Sequence, residues 1–123
     1  MKHIALAAVV ALAGCASSTN MRIGTDQSYV SLQDQRAAAI AVTESAVVPE
    51  SAKELGPVDA SRCHRHQGAI EPGRDILIGD LKVAAYARGA DGIAHVVTRT
   101  DVGLGYNCYY IITATATMFR TAK

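Results

Sequence analysis

The chain has no long hydrophobic run: its most apolar stretch, Ile4 to Leu12, covers nine residues, well short of the roughly 20 helical residues that a hydrocarbon core demands. It also has no excess of either charge, with Lys+Arg 12 against Asp+Glu 11, and no basic run with interleaved aromatics. Nucleic-acid binding needs clustered cations to neutralise phosphates, so that class is set aside. Nucleophilic and zinc-hydrolase chemistry lack their signatures as well: there is no Gly-x-Ser-x-Gly elbow, no His-Glu-x-x-His and no Cys-x-x-Cys pair. The carboxylates Asp75, Asp80, Asp91 and Asp101 are scattered over turns and helix ends. Asp75 is expected as a helix N-cap and Asp101 as a turn residue, not as acid and base. Gly103-Leu-Gly105 lies between two expected strands with no following helix, so it lacks the dipole and amides of a phosphate loop. No internal repeat is present.

What is there begins at the first residues. Lys2 supplies a positive n-region, Ile4 to Leu12 an h-region, and Leu12-Ala13-Gly14-Cys15 a lipobox, the pattern of a lipoprotein signal peptide. Residues 1–14 are expected to be removed and Cys15 to carry the lipid, whose acyl chains anchor stably when two or more are present. Ala16 follows the cysteine, and by resemblance to Gram-negative lipoproteins a residue other than Asp there implies the periplasmic face of the outer membrane. Excision removes only Lys2 among the charged residues, so the remaining chain is formally neutral. Of the three cysteines, assigning Cys15 to lipid leaves Cys63 and Cys108, an even pair in an oxidising compartment, where a disulfide is expected over two free buried thiols.

Three segments are expected: the signal peptide 1–14, a lipidated flexible tether 15–35, and one α+β domain 36–123. The tether is polar and patternless, and as a random coil it would hold the domain roughly 25 Å from its anchor. Ala38, Ile40 and Val42 alternate with Ala39, Ala41 and Thr43, which predicts a short strand. Glu54 to Ala60 predicts a second extended piece, at an edge or irregular because Pro57 removes a ladder donor. Leu77, Ile78, Leu81, Ala84, Ala85 and Arg88 recur at helical spacing, and Gly89 stands where a C-cap is wanted. Gly92 to Arg99 predicts a strand, Asp101 to Asn107 a hairpin loop, and Cys108 to Thr121 the longest strand. In that last strand the even positions, Cys108 to Met118, form an apolar face expected to meet the helix, opposite Thr113, Thr115 and Thr117. The fold class is therefore a two-layer α+β sandwich, a small mostly antiparallel sheet covered on one face by one principal helix.

Leu55-Gly-Pro-Val58, Cys63, the run Leu81-Lys-Val-Ala-Ala-Tyr-Ala-Arg-Gly-Ala-Asp-Gly-Ile-Ala94, Cys108 and the Thr/Ala-rich last strand together resemble the RcsF family of outer-membrane stress-sensor lipoproteins and related small lipoproteins. The resemblance covers Lys53 to Lys123 plus the lipobox. It implies a sensor that works by protein contact with an outer-membrane barrel or an inner-membrane signalling protein, with no catalysis and no cofactor, and it matches Cys63 and Cys108 to the family's pairing of first loop with last strand. The family carries four cysteines and a longer, proline-rich tether, where this domain has one pair. Gly89-Ala-Asp-Gly-Ile93 is also similar to a passage in YbjQ-type proteins described as heavy-metal binders.

Cys63-His64-Arg65-His66 is the one local cluster with thiolate and imidazole ligands, and His95 and Cys108 would complete a tetrahedral set. A disulfide at Cys63 removes its thiolate, so the expected metal ligands are none, and the alternative is a small-ligand or metal site on His64, His66 and His95. Tyr106 and Tyr109 are expected to project from the last hairpin, where tyrosines either pack across strands or meet a protein partner.

Overall fold

A computed structural model describes residues 20–23, 30–68 and 70–122. Cys15 and the proposed signal peptide lie outside these residues. The elements in chain order are β1 (Asn20–Ile23), α1 (Leu32–Ala41), β2 (Thr43–Ser45), β3 (Lys53–His64), α2 (Arg74–Ala87), β4 (Gly92–Val102) and β5 (Tyr110–Arg120), with a single 3-10 turn at Leu104–Tyr106 between the last two strands. The strands form one sheet in the order β1-β3-β5-β4-β2. β2 runs parallel to β4 and every other pairing is antiparallel. The α+β sandwich expected from the sequence is the fold observed.

α2 is the helix that covers the sheet. It packs against β3, β4 and β5 while α1 packs against α2. Leu77, Ile78, Leu81 and Ala85 meet Val58, Ala60, Ile93, Ala114, Ala116 and Met118 in one core. The helix ends where its sequence says it should. Gly89 adopts φ 78°, its N–H reaches the Tyr86 carbonyl and the Ala90 N–H the Ala85 carbonyl, the two bonds of a Schellman cap that a residue without Cβ permits. Asp75 does not cap the other end: Gly73 holds the N-cap position, and Asp75 sits inside the first turn, where its charge still suits the helix dipole.

Residues 37–41 belong to α1 and not to a strand, Val42 is the C-cap, and Thr43 opens the short strand β2. Ser31 caps α1, its Oγ accepting from the Asp34 N–H at 3.0 Å and donating to the Asp34 carboxylate at 2.7 Å, and the alanine run that follows favours helix. Of the residues whose alternation suggested a strand, Ile40 is 85% exposed, whereas Ala38 on α1 and Val42 at its C-cap are buried, four residues apart on one helix face. The order begins earlier than residue 36 as well. Asn20–Ile23, inside the stretch expected to be a tether, pairs antiparallel with Ser61–His64, because edge pairing uses backbone groups and asks for no apolar pattern.

Pro57 sits where a missing donor costs least. β1 pairs only with residues 61–64 of β3, so among the described residues nothing pairs with Pro57 on that flank, and a register shift between Glu54 and Gly56 loosens the strand just before it. At 12 residues β3 is longer than β5 at 11, the reverse of the expected ranking.

Asp80, read from the sequence as one of several scattered carboxylates, is the polar centre of the helix–sheet contact. It is buried in mid-α2 and accepts two bonds from Arg62 of β3, from Nε at 2.6 Å and Nη2 at 2.9 Å. The other three have structural partners or positions too: Asp75 in the first turn, Asp91 holding the Thr121 N–H and hydroxyl, and Asp101 against Arg99 on the surface. Removing one member of a buried ion pair costs more than replacing both. Asp80→Ala is therefore expected to lower unfolding free energy by about 3–5 kcal/mol, and the double variant Arg62→Met/Asp80→Leu by clearly less. Urea denaturation of the three proteins checks the order.

Candidate functional site

Cys63, His64, Cys108 and Tyr109, all selected from the sequence, meet Tyr110 at one end of the sheet. Register builds this end. His64 of β3 pairs with Tyr110 of β5, and Tyr110 with Val102 of β4, so the three strands reach the β4–β5 hairpin together. Directly opposed residues share a face, which puts His64, Arg62, Ala60 and Val58 with Tyr110, Ile112, Ala114 and Ala116 on the α2 side.

Cys63 and Cys108 form the disulfide, with Cα atoms 5.6 Å apart, on the opposite face. Cys63 pairs with Ile111, and Cys63, Cys108 and Ile111 make a separate small cluster. The expectation that Cys108 faces the helix with the other even positions is thus corrected. β5 starts at Tyr110, and the turn before it, with Asn107 at φ 55°, breaks the alternation before it reaches Cys108. The turn is held by Tyr106 and Cys108 N–H groups donating to the Gly103 carbonyl, both at 3.0 Å, and by the Tyr109 N–H donating to the His64 carbonyl at 2.7 Å. A Cβ at Gly103 would lie 2.6 Å from the Cys108 Cβ, so this position needs glycine for close approach to the crosslinked residue and not for phosphate binding.

His64 is buried, its ring stacked on Tyr110 with centroids 4.4 Å apart and planes at 24°, and tilted against Tyr109 at 6.1 Å. Its Nδ1 is buried without a hydrogen-bond partner. The histidines proposed together do not assemble. His66 is exposed in the segment after β3, and His95 sits in the β4 bulge at φ 55°, against the β2 edge. Its seven-residue offset from Val102, the residue in the His64 row, is about 23 Å of strand. Beside His95 the polar groups are already matched, Arg74 donating to Glu44 at 2.7 Å. Among the described residues no three of His, Cys, Asp and Glu stand together as a metal-holding group.

The sequence did not disclose the His64–Tyr110 stack. The signal was present in the parity of Val58, Ala60, Arg62 and His64, which places the imidazole on the buried face once β3 is extended to residue 64. What the arrangement offers is a covalently braced end: an aromatic layer of His64, Tyr109 and Tyr110 beneath, and exposed Val102, Leu104, Tyr106 and Tyr109 on the hairpin. None of the four exposed side chains is charged.

Tyr110 reports on this layer. Burial pushes its hydroxyl up to about 12 from its ordinary 10.0, and the hydrogen bond to Glu71 and the Glu71 charge add to the shift. The native state keeps the phenol protonated after the unfolded chain has lost its proton. Stability from this group is complete below about pH 10 and drains away as pH climbs toward about 12. Tyr110→Phe is expected to flatten the fall in urea midpoint over that window while leaving the ring stack in place; an unchanged slope counts against the assignment.

No protein-family model matches the chain, and comparison with curated proteins and with solved structures finds no significant similarity to either.

Proposed function

We propose that the chain is a lipoprotein of the bacterial outer membrane, anchored through Cys15, whose domain works in the periplasm by protein contact in the manner of the envelope-stress sensors it resembles, without catalysis or a cofactor. The observation that carries this reading is the Cys63–Cys108 disulfide. Structural disulfides persist in oxidising compartments, so the bond supports export independently of the lipobox. The lipobox in turn assigns the third cysteine, leaving an even pair. Working by protein contact, without catalysis, is what the resemblance to the stress-sensor lipoproteins implies. A ligand or metal site on His64, His66 and His95 has less support, because the three lie apart and His64 is engaged in a buried stack.

Crosslinking in intact cells tests the proposal. The lipidated chain is expected to capture an outer-membrane barrel or an inner-membrane signalling protein, and an exported Cys15→Ser form to lose that capture. Recovery of only abundant neighbours, equal in both forms, sinks the sensor reading.

A further inference from the structure

The hairpin tip and the entry of the chain into the sheet fall at the same place. β1 begins at Asn20, which pairs with His64, and the row continues through Tyr110 to Val102. The segment Val102 to Tyr109, Val-Gly-Leu-Gly-Tyr-Asn-Cys-Tyr, carries no charged side chain. Four of its side chains, Val102, Leu104, Tyr106 and Tyr109, are between 55% and 87% exposed. Arg65 and His66, also exposed, follow directly from the His64 row. Only four residues lie between Cys15 and Asn20, five steps along the chain, and a chain extends by at most about 3.6 Å per step. A lipid on Cys15 therefore lies within roughly 18 Å of the start of β1.

From this juxtaposition we infer that the β4–β5 hairpin end rests on the bilayer, with Leu104, Tyr106 and their neighbours in the headgroup region and the sheet standing away from it. The inference rests on the lipid anchor of the proposed function. Tyrosine is a residue of membrane–water interfaces, where its ring meets apolar matter and its hydroxyl meets water. Aliphatic neighbours add buried area, and with Arg65 and Glu71 of opposite sign beside the His64 row the contact rests on that area and on the tyrosines, not on charge. Such a small patch would bind a membrane weakly if free. The anchor converts the contact into an intramolecular one, at an effective concentration set by the short connection. The disulfide and the Tyr109–His64 bond hold the tip in the shape that meets the surface.

The chain has no tryptophan, so one introduced indole is the sole emitter of its kind. The lipidated chain, its Cys15 lipid first verified by intact mass, is placed in phosphatidylethanolamine–phosphatidylglycerol vesicles whose acyl chains carry bromine. Tyr106→Trp and, as a second probe, Leu104→Trp are expected to shift to the blue and lose about half their emission to the bromolipid. Ser51→Trp, exposed at the far end beside the Lys53–Arg120 pair, is expected to change little. If the hairpin indoles are quenched no more than the one at residue 51, the inference is overturned while the anchor stands, and the hairpin end is left as a surface for protein. Absence of lipid on Cys15 overturns both together.

Discussion

The bond between Cys63 and Cys108 fixes the geometry on which the hairpin end of the sheet depends. It joins residues 45 apart in sequence, and on the chain-entropy model a loop of that length is worth about 4 kcal/mol, a large part of what a small domain has in total. Its placement is as consequential as its strength. Cys63 is within a strand and Cys108 within a turn, so the crosslink clamps an irregular segment onto a regular one. Gly103 lies against Cys108, and the Tyr109 N–H closes onto His64. The aromatic layer and the exposed hairpin residues inherit their positions from that clamp.

On the other face the sheet is fixed by different means. The α2 contact is an apolar core in which Arg62 and Asp80 meet through two bonds. Apolar burial has no directional preference, whereas a bidentate guanidinium–carboxylate pair has one. The pair sets where along β3 the helix settles, and the Schellman turn at Gly89 then delivers the chain into β4. The two faces thus divide the labour: a helix docked by core and ion pair on one, a covalent brace on the other.

How much of this was legible follows from where the information lies. α2, its glycine stop, the two long antiparallel strands and the hairpin were visible because each has a periodic apolar face bounded by punctuating residues. α1 was not, since of its alternating residues Ala38 is buried while Ile40 points to solvent, and its decisive signal is the single Ser31 cap. β1 was not, because a four-residue edge strand is held by backbone bonds that leave no trace in composition. The face taken by Cys108 was misjudged because strand parity holds only while the strand lasts, and Asn107 ends it. Asp80 looked like one more surface carboxylate; its partner lies 18 residues away, and only the crossing of α2 over β3 brings the two together.

The proposed anchor and the proposed membrane contact would join at one end of the molecule, where Asn20 enters the sheet and the hairpin is exposed. A lipid at Cys15 and a disulfide between Cys63 and Cys108 are the two covalent facts this account requires of one molecule in the cell. Intact mass spectrometry of the chain extracted from bacterial membranes, with free thiols alkylated at lysis, reads both. The expected species starts at Cys15, carries acyl chains and takes up no alkylating agent. A chain that keeps residues 1–14, or one whose Cys63 and Cys108 both alkylate, would contradict it.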